Sequence, residues 1–313
     1  MSLIKKAEEL TIPTTIKMMI YGQAGVGKTT LALSAPAPLL LDFDGGVNRL
    51  NAAHVEGVDT VQVQSWNDIK QLLTQEVSAL APYQSIVVDT VGKMMDYIIT
   101  FKCGTNQPSI RDWGGINQEF TWFTRALSSL GKHLVFVAHR DTRKEGDNTV
   151  FVPSLREKSY NTIVTDLDLL GYVVMKDNKG VITRTITFNP TPVSDGKNTV
   201  NLPGNLAIPV ILDEYGRPKM PNNFLQRMVI DPYNVIVAQK MEKVKAYEEV
   251  MSKIKSDIDT IKDAKSATAF VGSIDSYSHV GNSKVQAGVL LNLKVKSLGL
   301  KWDKESKSYK KDK

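Results

Sequence analysis

Apolar residues in the first two thirds of this chain fall in short runs that end at an acid, a histidine or a glycine turn. The runs are residues 16–20 (Ile-Lys-Met-Met-Ile), 39–43 (Leu-Leu-Leu-Asp-Phe), 85–88 (Ser-Ile-Val-Val) and 133–138 (His-Leu-Val-Phe-Val-Ala). They are too short for core helices, and their unbroken Leu, Ile and Val predict strands buried on both faces. A weaker strand is expected at 61–63. Between the runs the spacing turns helical: a short helix after residue 30, stopped by Pro36 and Pro38, then 66–80 starting at Ser65, 92–101, 116–130 and 163–170. Residues 149–153 read as a short strand, and 171–175 with 183–188 as a hairpin around 177–180. Strands alternating with helices predict an α/β domain with a mainly parallel sheet.

Two stretches lack either period. Residues 102–115 hold Gly, Pro, Asn and Ser around Arg111-Asp112-Trp113, and residues 140–148 are polar and charged. Both read as loops, the first long for a compact core. From 235 to about 262 one long helix is expected, with Val237, Val244, Met251 and Ile258 every seven residues and Tyr247, Ile254 and Ile261 three further on. Such a stripe suits a helix lying on its own core or a coiled-coil partner helix. The domains expected are therefore a core over 1–234, strand-rich from about 171, a helical region over 235–300, and a disordered lysine-rich tail over 301–313.

Charge sharpens this division. Residues 240–313 carry 16 lysines, no arginine and 10 acids, so the whole net charge of +6 falls in the last quarter. A lysine-only excess fits loose attraction to a polyanion better than bidentate recognition, and it equally fits a solvated helix face. Of the 313 residues, 42% are hydrophobic and 23% charged, the balance of a soluble globular protein. No run nears the roughly 18 apolar residues that span a bilayer. Glu8 and Glu9 stand where a signal peptide would be apolar. The single cysteine, Cys103, suits a reducing cytoplasm, and four scattered histidines do not form a zinc pattern.

Chemistry concentrates after the first run. Gly22-Gln23-Ala24-Gly25-Val26-Gly27-Lys28-Thr29-Thr30 fits the phosphate-binding pattern G-x-x-x-x-G-K-[ST] without a mismatch, with a strand before and a helix after. Glycines let backbone N–H groups turn toward phosphate oxygens; Lys28 would meet the β- and γ-phosphates of ATP, and the Thr29 hydroxyl would hold Mg²⁺. In parallel sheets ligands bind beyond the C-terminal strand ends, so Asp44, Asp89 and His139 should share one rim with Lys28. Asp89, ending an Ile-Val-Val-Asp strand, is the expected Mg²⁺ acid. Asp44 is a candidate to orient or deprotonate the attacking water, or else a turn aspartate before Gly45-Gly46. His139 is a candidate γ-phosphate contact, or a satisfied strand-end histidine.

These motifs, in this order and spacing over about residues 14–200, resemble RecA-like ATPases, and more closely the phage family of RecA-like ATP-binding single-strand annealing proteins. Ile110-Arg111-Asp112-Trp113-Gly114 and the run from His139 through Pro153-Ser154-Leu155 are similar to that family too. The resemblance implies a minimal RecA-like P-loop core and a slow, DNA-stimulated ATPase acting on single-stranded DNA in phage recombination, by annealing or strand exchange. It implies assembly into a ring or filament, with single-strand DNA-binding protein as a further partner and no membrane. It places DNA contacts in the two loops, where Arg111, Trp113, Arg140, Arg143 and Lys144 mix cations with a stackable ring, diluted by Asp112, Asp141, Glu145 and Asp147. Two departures stand out. Asp44 falls where many RecA-like proteins have glutamate. Gly196-Lys197-Asn198-Thr199 matches a segment that reaches a neighbouring subunit's nucleotide but lacks an arginine, leaving Lys197 as the candidate. A nucleotide-dependent switch or scaffold that docks a replication partner is the competing reading. A small-molecule kinase lacks its arginine-rich lid here.

Overall fold

The buried runs come together as the centre of one sheet. The computed structural model describes residue 10 and residues 13–311. The expected start of the core at residue 1, the acids Glu8 and Glu9, and the last two tail residues lie outside the described residues. One compact unit spans Thr14–Asn234. Its elements are β1 (Lys17–Gly22), α1 (Lys28–Ala32), β2 (Pro38–Asp42), α2 (Ala52–Val55), β3 (Asp59–Gln62), α3 (Trp66–Thr74), β4 (Ser85–Asp89), α4 (Val91–Cys103), α5 (Asp112–Ser129), β5 (His133–Glu145), β6 (Asn148–Pro153), α6 (Glu157–Asp166), β7 (Leu169–Asn178), β8 (Val181–Thr187), β9 (Lys197–Asn198) and β10 (Asn205–Ile208).

The strand order is β3-β2-β4-β5-β1-β7-β8-β10. From β3 to β7 every pairing is parallel; β8 and β10 extend the edge antiparallel. With β5 between the phosphate-loop strand β1 and the acid-tipped β4, this is the α/β arrangement of RecA-like P-loop cores. Burial explains the unbroken apolar runs. Met18 and Ile20 point to one face of β1 and Met19 and Tyr21 to the other, and all four are fully buried. On the Met19 face, Leu41, Val88 and Phe136 pack with Trp66, Met94, Ile98, Phe120 and Phe123 from α3, α4 and α5.

Four sequence readings change. Residues 140–148 are not a loop: β5 continues to Glu145 and folds back on β6 as an antiparallel hairpin, with Arg140 opposite Pro153 and Glu145 opposite Asn148. Ladder bonds supply the backbone with partners, so the side chains need no apolar pattern and stay polar toward solvent. The loop expected over 102–115 shrinks, because α4 runs to Cys103 and α5 starts at Asp112, whose carboxylate accepts from Ser109 N–H and hydroxyl. The helix expected over 163–170 is α6 ending at Asp166; Leu169 and Leu170 join β7 opposite Met18 and Met19, sheet pairing overriding helical spacing. The helix expected over 66–80 likewise ends at Thr74 and resumes as a 3₁₀ turn, Val77–Leu80.

The second unit runs from Val235 onward. It comprises α7 (Asp231–Asp259), whose first turn belongs to the core, α8 (Ala264–Ser273), α9 (Ser283–Ser297), β11 (Leu300–Asp303) and β12 (Ser308–Lys311). Tyr247, Met251, Ile254, Ile258 and Ile261 are buried with Ala267 and Phe270 of α8 and Ala287, Leu291 and Val295 of α9. From Tyr247 onward the heptad stripe thus covers the unit's own core. The lysine-rich tail is not disordered over its described part. β11 and β12 form a hairpin in which Trp302 meets Tyr309 edge-on at 5.0 Å, Leu300 is buried, and Tyr309 N–H donates to Thr268 Oγ1. Two aromatic anchors hold a segment whose charge alone argued for disorder.

Candidate nucleotide site

Register sets the site. Gly22 at the tip of β1 pairs with His139 of β5, and Asp89 at the tip of β4 pairs with Asp42 of β2. Gly22 must be glycine, since a Cβ there would stand 2.7 Å from the Val173 carbonyl oxygen. Gly25 and Gly27 hold φ of 76° and 91°, the left-handed region that lets successive N–H groups turn outward. Gln23, Ala24 and Gly25 form an exposed crest, and buried Val26 anchors the loop. α1 is only five residues long, ending before Pro36 and Pro38.

Lys28, 6% exposed, curls back so that its Nζ donates to Gln23 O at 2.9 Å. Burial lowers its pKa, while Asp89 and Asp44 pull the other way. Thr29 Oγ1 donates to Asp89 Oδ2 at 2.5 Å, joining the two residues that sequence assigned to Mg²⁺. Asp89 is pushed up to about 6, first by burial and then by Asp44 and Asp42, against the Thr29 hydrogen bond and Lys28. An acid under that strain accepts a cation readily. A hydroxyl and one carboxylate, both hard oxygen donors, fit Mg²⁺, which keeps waters and phosphate oxygens as its other ligands. Among the described residues no cluster of three or more His, Cys, Asp or Glu competes as a metal site.

Asp44 is exposed beyond β2 and accepts from Gly46 N–H at 3.3 Å, so it keeps the turn it was suspected of making. The residue before it, Phe43, donates its N–H to Asp89 O at 2.8 Å, which places Asp44 at the same rim. His139 is open to solvent, yet partial burial and then Lys28 hold its imidazole below the usual range, with Asp44 opposing.

The other predicted residues lie apart from this rim or are engaged elsewhere. Arg140 Nη1 donates to the Tyr172 hydroxyl at 3.0 Å and lies 4.5 Å over the Phe151 ring. Arg143 pairs with Glu145 at 2.6 Å and Asp195 at 3.2 Å, and Lys144 donates to Thr149. Trp113 stands in α5 rather than in a loop, half-buried, with the Arg156 guanidinium 3.6 Å over its ring. Arg111 is exposed at the N-cap of α5. Lys197 Nζ donates to Val164 O and Thr165 O, both at 2.8 Å, satisfying carbonyls at the end of α6. Sequence reading missed Arg184 and His54. Arg184 of β8 stands near Gly27, and His54 of α2 shares a 3.2 Å hydrogen bond with Thr30 Oγ1. The sequence placed residue 184 only within the hairpin strand over 183–188, and nothing local showed that this hairpin lies beside the phosphate loop.

Comparison with known proteins places this geometry. The chain is 29% identical over 139 residues to an uncharacterized SPbeta prophage-derived protein, YorG, of Bacillus subtilis (strain 168); the match covers 41% of this chain and 42% of that protein. The chain thus spans about two fifths of that relative's length. Among solved structures, the flagellar accessory protein FlaH from Methanocaldococcus jannaschii is similar over 63% of this chain and 85% of its own, at 12% identity and a TM-score of 0.37. A KaiC-like protein from Pyrococcus horikoshii OT3 is similar over 56% of this chain and 79% of its own, at 13% identity and a TM-score of 0.37. Residues 14–200, which hold the phosphate loop and all four strand tips, match the AAA domain family. The chain belongs to that family of P-loop ATPases.

Proposed function

We propose that this chain binds ATP with Mg²⁺ and hydrolyses it at the rim formed by Gly22–Thr30, Asp44, Asp89 and His139. The observation that carries the proposal is the Thr29–Asp89 hydrogen bond beside a buried lysine whose Nζ has a single carbonyl partner. Backbone N–H groups of the loop bind the phosphates, and Lys28 neutralises the β- and γ-oxygens. Mg²⁺ held by Thr29 and Asp89 would offset the charge that builds on the transferred group. Asp44 accepts a proton from the water attacking the γ-phosphorus as the bond to the β–γ bridging oxygen breaks, and His139 donates to a γ-oxygen. The products are ADP and phosphate. Phosphate release by wild type, lost in Lys28→Ala with ATP binding lost in calorimetry, is the expected result; unchanged ATP affinity in that variant would sink the assignment.

The finer reading is action on single-stranded DNA in phage recombination, by annealing or strand exchange. It is supported by the β5–β6 hairpin, which continues directly from the strand bearing His139, by exposed Arg111, and by the lysine excess after residue 240. The prophage origin of the relative fits a phage setting. Against it stand the internal pairing of Arg140 and Arg143 and the cover on Trp113. The competing switch or scaffold reading predicts an ATPase rate that single-stranded DNA leaves unchanged, and an assay with and without such DNA separates the two.

A further inference from the structure

Arg184 carries a polar atom that the protein itself does not satisfy. It stands in β8 opposite Met175 of β7 and Ile208 of β10. Its Nε is buried without a hydrogen-bond partner and lies 3.9 Å from the point a Cβ on Gly27 would occupy. A guanidinium N–H shut off from water and left unpaired is costly, and native folds rarely keep one without a use. The same side chain lines a cavity of about 250 Å³ together with Gly27, Thr30 and His54 on its polar side and Ile208, Val210 and Phe224 on its apolar side. The cavity therefore opens on the last residues of the phosphate loop.

Position along the loop decides which part of a ligand this cation meets. Lys28 and Thr29 serve the β- and γ-phosphates and the metal, while the loop backbone cradles the α- and β-phosphates. The cavity that Arg184 lines is shared with Thr30 and His54, and neither Asp44 nor Asp89 lines it. Arg184 thus sits on the Thr30–His54 side of the loop.

We infer that Arg184 is a nucleotide-positioning residue, supplied by the same chain, that donates its buried Nε–H to an α-phosphate oxygen of ATP or ADP. This rests on the nucleotide reading of the loop. A contact to the α-phosphate is made by both nucleotides, so it adds affinity without telling ATP from ADP.

The test is calorimetric affinity for ATP and ADP in wild type, Lys28→Ala, Arg184→Met and Arg184→Lys. Arg184→Met should weaken both nucleotides by the same factor, roughly 10- to 100-fold for one charge-assisted hydrogen bond. Arg184→Lys should recover part of that loss. Unchanged affinity, or a loss confined to ATP, overturns the inference while leaving the loop assignment intact. Failure of wild type to bind nucleotide, or wild-type binding in Lys28→Ala, overturns the loop assignment and this inference with it. A second measurement needs no variant. Modification of Arg184 by phenylglyoxal in wild type, followed by peptide mass spectrometry, should be slowed equally by ATP and ADP. No protection by either nucleotide refutes the contact even if the variants fail to fold.

Discussion

Lys28 keeps its charge where water barely reaches, and that is a burden on the folded state. Its pKa is lowered by burial despite Asp89 and Asp44, so the unfolded chain binds this proton more tightly than the native one. Stability should therefore rise with pH through the window below the ordinary lysine value. Lys28→Met removes the burden and the phosphate contact together. Without nucleotide it should melt at or above the wild-type temperature; with Mg²⁺ and ATP it should lose the upward shift that binding gives wild type. A variant that melts lower and still shifts with ATP would show that Lys28 is structural. Asp44 and Asp89 should separate in the same way. Asp44→Asn should bind ATP normally and turn over at least 100-fold slower, whereas Asp89→Asn should also lose Mg²⁺-dependent affinity. Wild-type turnover in Asp44→Asn would move the water-orienting role to His139. The loop was legible because its chemistry is local, nine consecutive residues with glycines where the backbone turns. The Thr29–Asp89 contact was legible only as an expectation about strand ends, and Arg184 not at all, because its neighbour is 157 positions away in the chain.

At the scale of elements, α3, α4 and α5 are fastened by one buried acid. Glu119, 7% exposed, receives Lys70 and Lys102 at 2.7 Å each and the Trp66 indole N–H at 2.9 Å. Burial pushes its carboxyl up, but those three donors outweigh burial and hold it at about 2. A carboxyl depressed in the fold contributes stability that is complete above its unfolded value and is lost as pH falls through the folded one. The loss should thus run from about pH 4.5 down to about 2. Glu119→Gln should cost on the order of 2 kcal/mol at pH 7, discounted because both lysines are a third exposed, and should flatten the acid limb of a denaturant-midpoint series. An unchanged acid limb would place the acid-sensitive group elsewhere. This network was invisible in sequence, where Glu119 is one acid in an amphipathic helix. The buried strands were plain because burial on both faces leaves an unbroken apolar run. The outer half of β5 was not: its residues after His139 face solvent, and only pairing with β6 makes them a strand.

For the molecule as a whole, the question is whether ATP turnover is coupled to a polyanion and to assembly. The lysine excess lies in the C-terminal unit, and its hairpin over 300–311 is part of that unit's packing through Leu300 and Tyr309. Truncating it would confound charge with stability, so charge should be removed in place. Lys301, Lys304 and Lys311 are exposed. Replacing all three by Gln should leave the melting temperature unchanged. If these lysines meet phosphates, the salt slope of single-stranded DNA binding should fall by about 2, at roughly 0.7 per phosphate neutralised. The loss should be uniform across sequences, since lysine offers a point charge and no base readout. Nucleotide should act at a different level. A P-loop site that also governs assembly links ATP and self-association reciprocally, each strengthening the other. Anisotropy with single-stranded DNA and light scattering, with and without a non-hydrolysable ATP analogue, read both at once. Tighter DNA binding and a larger particle with the analogue are expected. If neither changes, and DNA leaves the ATPase rate as it was, the recombination reading falls and the nucleotide-dependent scaffold takes its place.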